Sequence, residues 1–282
     1  MAAQRLQSLL SSPTHDLPMF HDGSPYHTHQ KCSHCFQVQR SHQAKLSLCA
    51  MCRVEMYCSK ECQKAHWPAH KAQCKVYKAE RLAVAEKTGI ESAQADCHAW
   101  IKYFDTPIKN CAIAAMRLPE TPHMERTEIF SLTIHHKGDP SRPVQQRFAV
   151  IEVARRRAAE FPPMSTVFQG MKSYPGFCER GKVEMGARFY GCVRVGILAT
   201  YGPSVDEPVA VIQRLNHFSI DDTTARAKIV RQDWFMLFRE YVEQGARIKF
   251  CCGRLPGAED VCCCGGWVHD EEKRKAFSGT KN

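Results

Sequence analysis

No run of the 282 residues comes near the roughly 20 consecutive apolar side chains that a membrane helix requires. The N-terminus also lacks the hydrophobic region of a secretory signal, because Gln4 to Leu10 supplies only a short, broken apolar run. The two absences predict an intracellular protein of the cytoplasm or nucleus, with no membrane association, in which cysteines stay reduced. Missing too are a Ser/His/Asp set, a phosphate-cradling glycine loop and a paired-carboxylate motif, so no catalytic residues are assigned and no enzymatic activity is expected. Acidic side chains are in deficit, 29 against 39 basic ones, for a formal charge of +10. Such a balance can attract RNA, DNA or acidic proteins. The positive residues are scattered, however, and the one compact run, Arg155 to Arg157, comes without an RNA-binding aromatic signature. A solvated basic face is the expectation, and nucleic acid is not an expected partner.

What the chain has in plenty is cysteine, 16 in all. Between Cys32 and Cys74 eight metal-ligand residues fall in four pairs: Cys32/Cys35, Cys49/Cys52, Cys58/Cys62 and His70/Cys74. A gap of two or three residues lets both side chains of a pair reach one tetrahedral ion, so four pairs make two complete sites. Thiolate and imidazole donors select zinc over magnesium or calcium. With every position taken by protein, the sites are structural rather than hydrolytic, and two zinc ions per chain are expected. Seven bound thiolates and two zinc ions would bring the net charge to about +7. Disulfides are the competing reading, disfavoured by the expected compartment. Spacing alone leaves open which pairs share an ion.

The run Cys32-Ser-His-Cys35, Cys49-Ala-Met-Cys52, Tyr57-Cys58-Ser59-Lys60-Glu61-Cys62-Gln63 and His66-Trp67-Pro68-Ala69-His70-Lys71-Ala72-Gln73-Cys74 resembles a MYND-type zinc finger. The resemblance implies a cross-braced pairing, with Cys32, Cys35, Cys58 and Cys62 on the first zinc and Cys49, Cys52, His70 and Cys74 on the second. It also implies protein partners, gripped through short proline-containing peptides, with Gln63 and Trp67 as candidate contacts. Within the run Pro68 predicts a break, one short helix ending near His66 and another starting with Pro68 in its first turn. His66 is expected to pack or cap rather than bind metal.

The expected architecture is α+β: a small two-zinc module followed by helices and a mixed α+β C-terminal domain. Residues 1–30 are polar and turn-rich and read as flexible. The finger occupies 31–75, a helical region 76–120, an α+β domain of unassigned role 121–270, and a flexible tail 271–282. Gly89 predicts the end of one helix, and a second stretch runs to Thr106-Pro107 before a third carrying Ile108 to Leu118. Strands are predicted over Ile129–Ile134, Gln146–Val153, Phe189–Leu198 and Val209–Leu215. An amphipathic helix is predicted over Asp233–Gly245.

A late cysteine cluster, Cys251, Cys252, Cys262, Cys263 and Cys264 with His269, flanks a predicted turn over Arg254–Asp260. It could hold a third metal or a redox pair, although neighbouring strand residues point to opposite faces and free cysteine also packs as a small apolar side chain. The alternative function is a SET-like protein-lysine methyltransferase using S-adenosylmethionine, because MYND modules also occur in such enzymes. Asn216-His217-Phe218-Ser219 and the late cysteines faintly resemble two of their motifs. Against it, the 31 residues before Cys32 hold a single glycine, Gly23, and no cysteine follows Cys264.

Overall fold

The computed structural model describes residues 20–22, 26, 30–36, 46–161 and 170–245, together with the backbone of 254–255 and 258–262. It is α+β, as expected. Two short antiparallel strands, β1 (Ser47–Leu48) and β2 (Met56–Tyr57), precede a 29-residue helix, α1 (Lys60–Thr88). The Ser59 side chain caps α1 by accepting from the Cys62 N–H at 3.2 Å, and Gly89, at φ 68°, closes it where the sequence predicted. Pro68 does not break it. Proline removes one helical hydrogen bond and crowds the preceding turn, at about 3 kcal/mol. Here Lys64, whose carbonyl loses its partner, lies on the exposed side, and metal ligands on both sides of Pro68 hold the helix to one axis.

Two helices follow, α2 (Ala93–Tyr103) and α3 (Asp105–Met116). Their boundary falls before Pro107 rather than at it, because the first turn of a helix has N–H groups without internal partners and so tolerates a residue that has none. The sheet has the order β4-β3-β5-β6, built from β3 (Glu128–His136), β4 (Phe148–Arg157), β5 (Phe189–Tyr201) and β6 (Ala210–Asp221). Only the central β3–β5 pairing is parallel. β3 and β5 cover their predicted segments, β4 and β6 begin two residues and one residue after theirs, and all four run past the predicted C-terminal ends. Central β5 is buried along nearly its whole length, so both faces of the sheet are covered.

Helices α2 and α3 share one apolar core with the sheet, centred on Trp100, Phe104, Phe130, Phe148 and Tyr201. Helix α6 (Trp234–Glu243) joins that core through Leu237, Phe238 and Tyr241. Helix α4 (Tyr174–Met185) packs on β5 and β6. It comes so close that a Cβ on Gly181 would lie 2.4 Å from both the Phe189 ring and the Ser219 hydroxyl. A short helix, α5 (Asp222–Arg226), follows β6.

Within the stretch read as flexible, Phe20 and Tyr26 are packed against the fold. Phe20 is buried and stacks on Tyr241 at 5.5 Å, and the Phe20 carbonyl accepts from the Val230 N–H. Buried Asn110 accepts from the Tyr26 N–H at 2.8 Å and donates to the Tyr26 carbonyl at 2.8 Å. Near the C-terminus, β7 (Arg254–Leu255) and β8 (Ala258–Cys262) pair antiparallel, so the hairpin exists, with its strands on the segment predicted as its turn. Cys251, Cys252, Cys263, Cys264 and His269 lie outside the described residues, as does the side chain of Cys262, and so does the question of a third metal there.

Candidate metal centre

Each Cys-x2-Cys pair sits on a tight turn closed by the same bond. The Phe36 N–H donates to the Cys32 carbonyl at 3.0 Å, and the Arg53 N–H to the Cys49 carbonyl at 2.8 Å. Both closing residues are left-handed, Phe36 at φ 59° and Arg53 at φ 57°. Neither is a glycine, so nothing in the sequence marks these positions; closing a turn around a ligand pair is what makes the conformation worth its strain. The Ser33 N–H donates to the Met56 carbonyl and the Ser33 hydroxyl accepts from the Met56 N–H, fastening the first turn to β2. Cys58 and Cys62 bracket the capped start of α1, and His70 and Cys74 follow on the same helix.

These elements bring the first pair to the third and the second to the fourth. In each set, Cys32, Cys35, Cys58 and Cys62 or Cys49, Cys52, His70 and Cys74, the ligand atoms all lie within 4.8 Å of one another. The finer distances suit zinc. A tetrahedron with Zn–S arms of about 2.3 Å has edges of about 3.8 Å, and an S-to-N edge is about 3.6 Å. The Cys35 and Cys58 sulfurs are 3.6 Å apart, Cys58 and Cys62 3.4 Å, and Cys49 and Cys74 3.8 Å, while Cys52 Sγ lies 3.6 Å from His70 Nε2.

Protonation fits the same reading. Burial holds the His70 imidazole below its ordinary pKa, leaving it neutral with a lone pair to give. Burial raises the Cys32 thiol, but hydrogen bonds from the backbone of Cys35, Cys58 and His34 outweigh it and bring the pKa down to about 6. With one thiolate present the next proton is harder to remove. Cys58 is pushed up to about 12, first by its bond with Cys62 and then by burial, and Cys74 to about 12 by burial and by Cys49. A divalent cation relieves that crowding of negative charge and lets every thiol ionise. Chemically, the sets hold two zinc ions in closed shells that brace the fold.

His66 is not a ligand. It stands between the sets, stacked 5.8 Å from the His70 ring and hydrogen-bonded through Nδ1 to the Tyr57 hydroxyl at 3.1 Å. Trp67 is half-buried, edge-on to His70 at 6.1 Å, and Gln63 is half-buried on the same helix. A family profile described as MYND finger matches residues 32–74. Residues 32–74 are a MYND finger. The chain is 44% identical over 50 residues to SET domain and MYND-type zinc finger protein 6 of Schizosaccharomyces pombe, which is 18% of this chain and 10% of that protein. Over 34 residues it is 56% identical to a human histone-lysine N-methyltransferase, covering 12% and 8%. Over 46 residues it is 48% identical to SET domain-containing protein 14 of Caenorhabditis elegans, covering 16% and 10%. The matches therefore span a tenth or less of these relatives and involve the MYND region. No solved structure matches the chain. Among the described residues no helix is long and apolar enough to cross a membrane.

Outside the finger, no sequence signal marks the contact that fixes α1 to the sheet. Arg214 on β6 donates to both carboxylate oxygens of Glu80, at 3.0 and 2.7 Å, and its Nε donates to His98 Nε2 at 3.0 Å. The guanidinium also lies 5.0 Å from the Tyr77 ring centre.

Proposed function

We propose that the chain is an adaptor or regulatory protein whose MYND finger presents a surface to short proline-containing segments of partner proteins. The observation that carries this reading is the finger itself: two closed ligand sets leave no position for catalysis at the metals, while a binding surface remains around them. Gln63 and Trp67 lie half-buried on α1 between the two sets, and exposed Leu48 and Met51 adjoin the second set's Cys49 and Cys52 in sequence. An aromatic side chain and exposed apolar side chains on one small module suit the preformed extended helix of a proline-rich peptide. The test is a titration of zinc-loaded full-length protein with short proline-containing peptides, followed by backbone amide shifts. We expect shifts clustered on Gln63, Trp67 and the β1–β2 turn, with affinity between about micromolar and millimolar. Shifts scattered elsewhere, or none, would remove the peptide reading.

The names of the relatives favour a second reading, a protein-lysine methyltransferase using S-adenosylmethionine. Its candidate motif falls on β6, where Asn216 is exposed while His217 stacks on Phe177 at 4.2 Å. Calorimetric binding of S-adenosylmethionine to the full chain would put this reading first.

A further inference from the structure

The two zinc-ligand sets differ in a way that their donor chemistry does not predict. All four ligands of the second set are buried. In the first set only Cys32 is buried; Cys58 and Cys62 are half-buried and Cys35 is exposed. We propose that Cys35 is an oxidation site, and that the first zinc set is a peroxide-sensitive latch holding the N-terminal turn of the finger against the sheet domain.

A zinc-bound thiolate keeps nucleophilic character, so its reactivity is set largely by access. Cys35 Sγ attacks one oxygen of hydrogen peroxide, the O–O bond breaks, and a sulfenic acid forms while hydroxide leaves. The Cys58 thiolate, 3.6 Å away, then displaces a second hydroxide from that sulfur and closes a disulfide. The two thiolates are oxidised by two electrons, peroxide is reduced to two hydroxides that take up two protons as water, and the zinc ion passes to solvent. A disulfide leaves the remaining Cys32 and Cys62 with half a coordination shell.

The surroundings of the turn translate that loss into movement. Lys31, beside Cys32, pairs with Glu184 of α4 at 2.6 Å, and Phe36, beside Cys35, lies 5.7 Å from the Arg180 guanidinium of the same helix. These contacts border a cleft of about 510 Å³ between the finger and α4. The ion pair is solvent-exposed on both sides, and such pairs contribute little to stability. Without its metal the turn is left with the two Ser33–Met56 hydrogen bonds to β2 and these exposed contacts to α4. The second set, fully enclosed, keeps its zinc and the continuity of α1.

Peroxide titration of the zinc-loaded full chain, read by native mass spectrometry and by mapping of oxidised cysteines, tests the proposal. We expect one zinc to leave about tenfold faster than the other, with Cys35 among the first finger cysteines oxidised. Simultaneous loss of both ions, or earlier oxidation of Cys49, Cys52 or Cys74, would overturn it. A Cys35→His variant keeps a four-donor set without the exposed sulfur and should slow the first loss about tenfold. An unchanged rate in a variant holding two zincs refutes the latch. Should the variant not take up two zincs, the order of oxidation in the unaltered protein decides alone.

Discussion

The finger and the sheet domain solve the problem of holding a fold together with different materials. The cluster enclosed in the finger is five residues, Cys32, Cys49, Cys52, Tyr57 and Cys74, and four of them are metal ligands. In the sheet domain the core is carbon: Trp100, Phe104, Phe130, Phe148, Met116 and Tyr201 meet between α2, α3 and the sheet, each nearly or wholly enclosed. A segment as short as the finger buries too little apolar surface to fold unaided, whereas burying each large side chain of the core contributes about 1.5–3 kcal/mol. The difference teaches that one chain can carry two independent sources of stability. One depends on zinc and redox conditions, the other on hydrophobic burial.

Removing the metal should break the comparison most visibly. Structural zinc contributes on the order of 10 kcal/mol to a finger of this size. A strong chelator under reducing conditions should abolish amide protection in residues 46–74 while the core strands β3 and β5 stay protected, as read by hydrogen exchange with mass spectrometry. Loss of protection in both regions together would show that the sheet domain depends on zinc as well.

Much of this division was legible in advance. The ligand pairs announced themselves by spacing, and their cross-braced use followed the family resemblance. The strands showed as β-branched runs such as Ile129 to Ile134, and the end of α1 as Gly89. What escaped was set by partners distant in sequence. Phe20 and Tyr26 sit among prolines, glycines and histidines, and only Tyr241, Asn110 and Ser219, about 85 to 220 positions away, give them a place. The continuity of α1 through Pro68 escaped because a local rule for proline met a constraint imposed by two ligand sets. The left-handed Phe36 and Arg53 carry no compositional mark at all. Arg214 looked like one scattered cation until the fold set it against Glu80.

That Arg214 contact is one place where the finger's long helix meets the sheet domain, and it sharpens the comparison next. Arg214 is nearly enclosed, and taking away one member of such a pair strands the other. Glu80→Gln and Arg214→Met should each cost about 3 kcal/mol, the lower end of the range for buried pairs because Glu80 is partly exposed. Denaturant unfolding checks the size, and a double-mutant cycle should show the losses to be non-additive. Zinc content should stay at two in both variants. A zinc loss in Arg214→Met would mean that docking on the sheet helps to shape the finger.

The smallest effect expected is a dependence on pH confined to the sheet domain. Burial brings His98 down to about 4, helped by the Arg214 charge beside it, and brings His217 down to about 4, helped by Arg194 and Arg180. An unfolded histidine takes up its proton near pH 6.5. Between about 6.5 and 4 the unfolded chain therefore binds more protons than the folded one, and stability falls as pH falls, levelling off below the folded values. For partly enclosed groups the combined loss is on the order of 2–3 kcal/mol. The zinc sites also weaken on acidification as their thiolates gain protons, so the two contributions must be separated. Melting the zinc-loaded protein from pH 7 to 5 with His98→Gln and His217→Gln variants does so. The substitutions should flatten the slope for the sheet domain while zinc release keeps its own acid midpoint, and an unchanged slope would mean that neither histidine is held neutral by its surroundings.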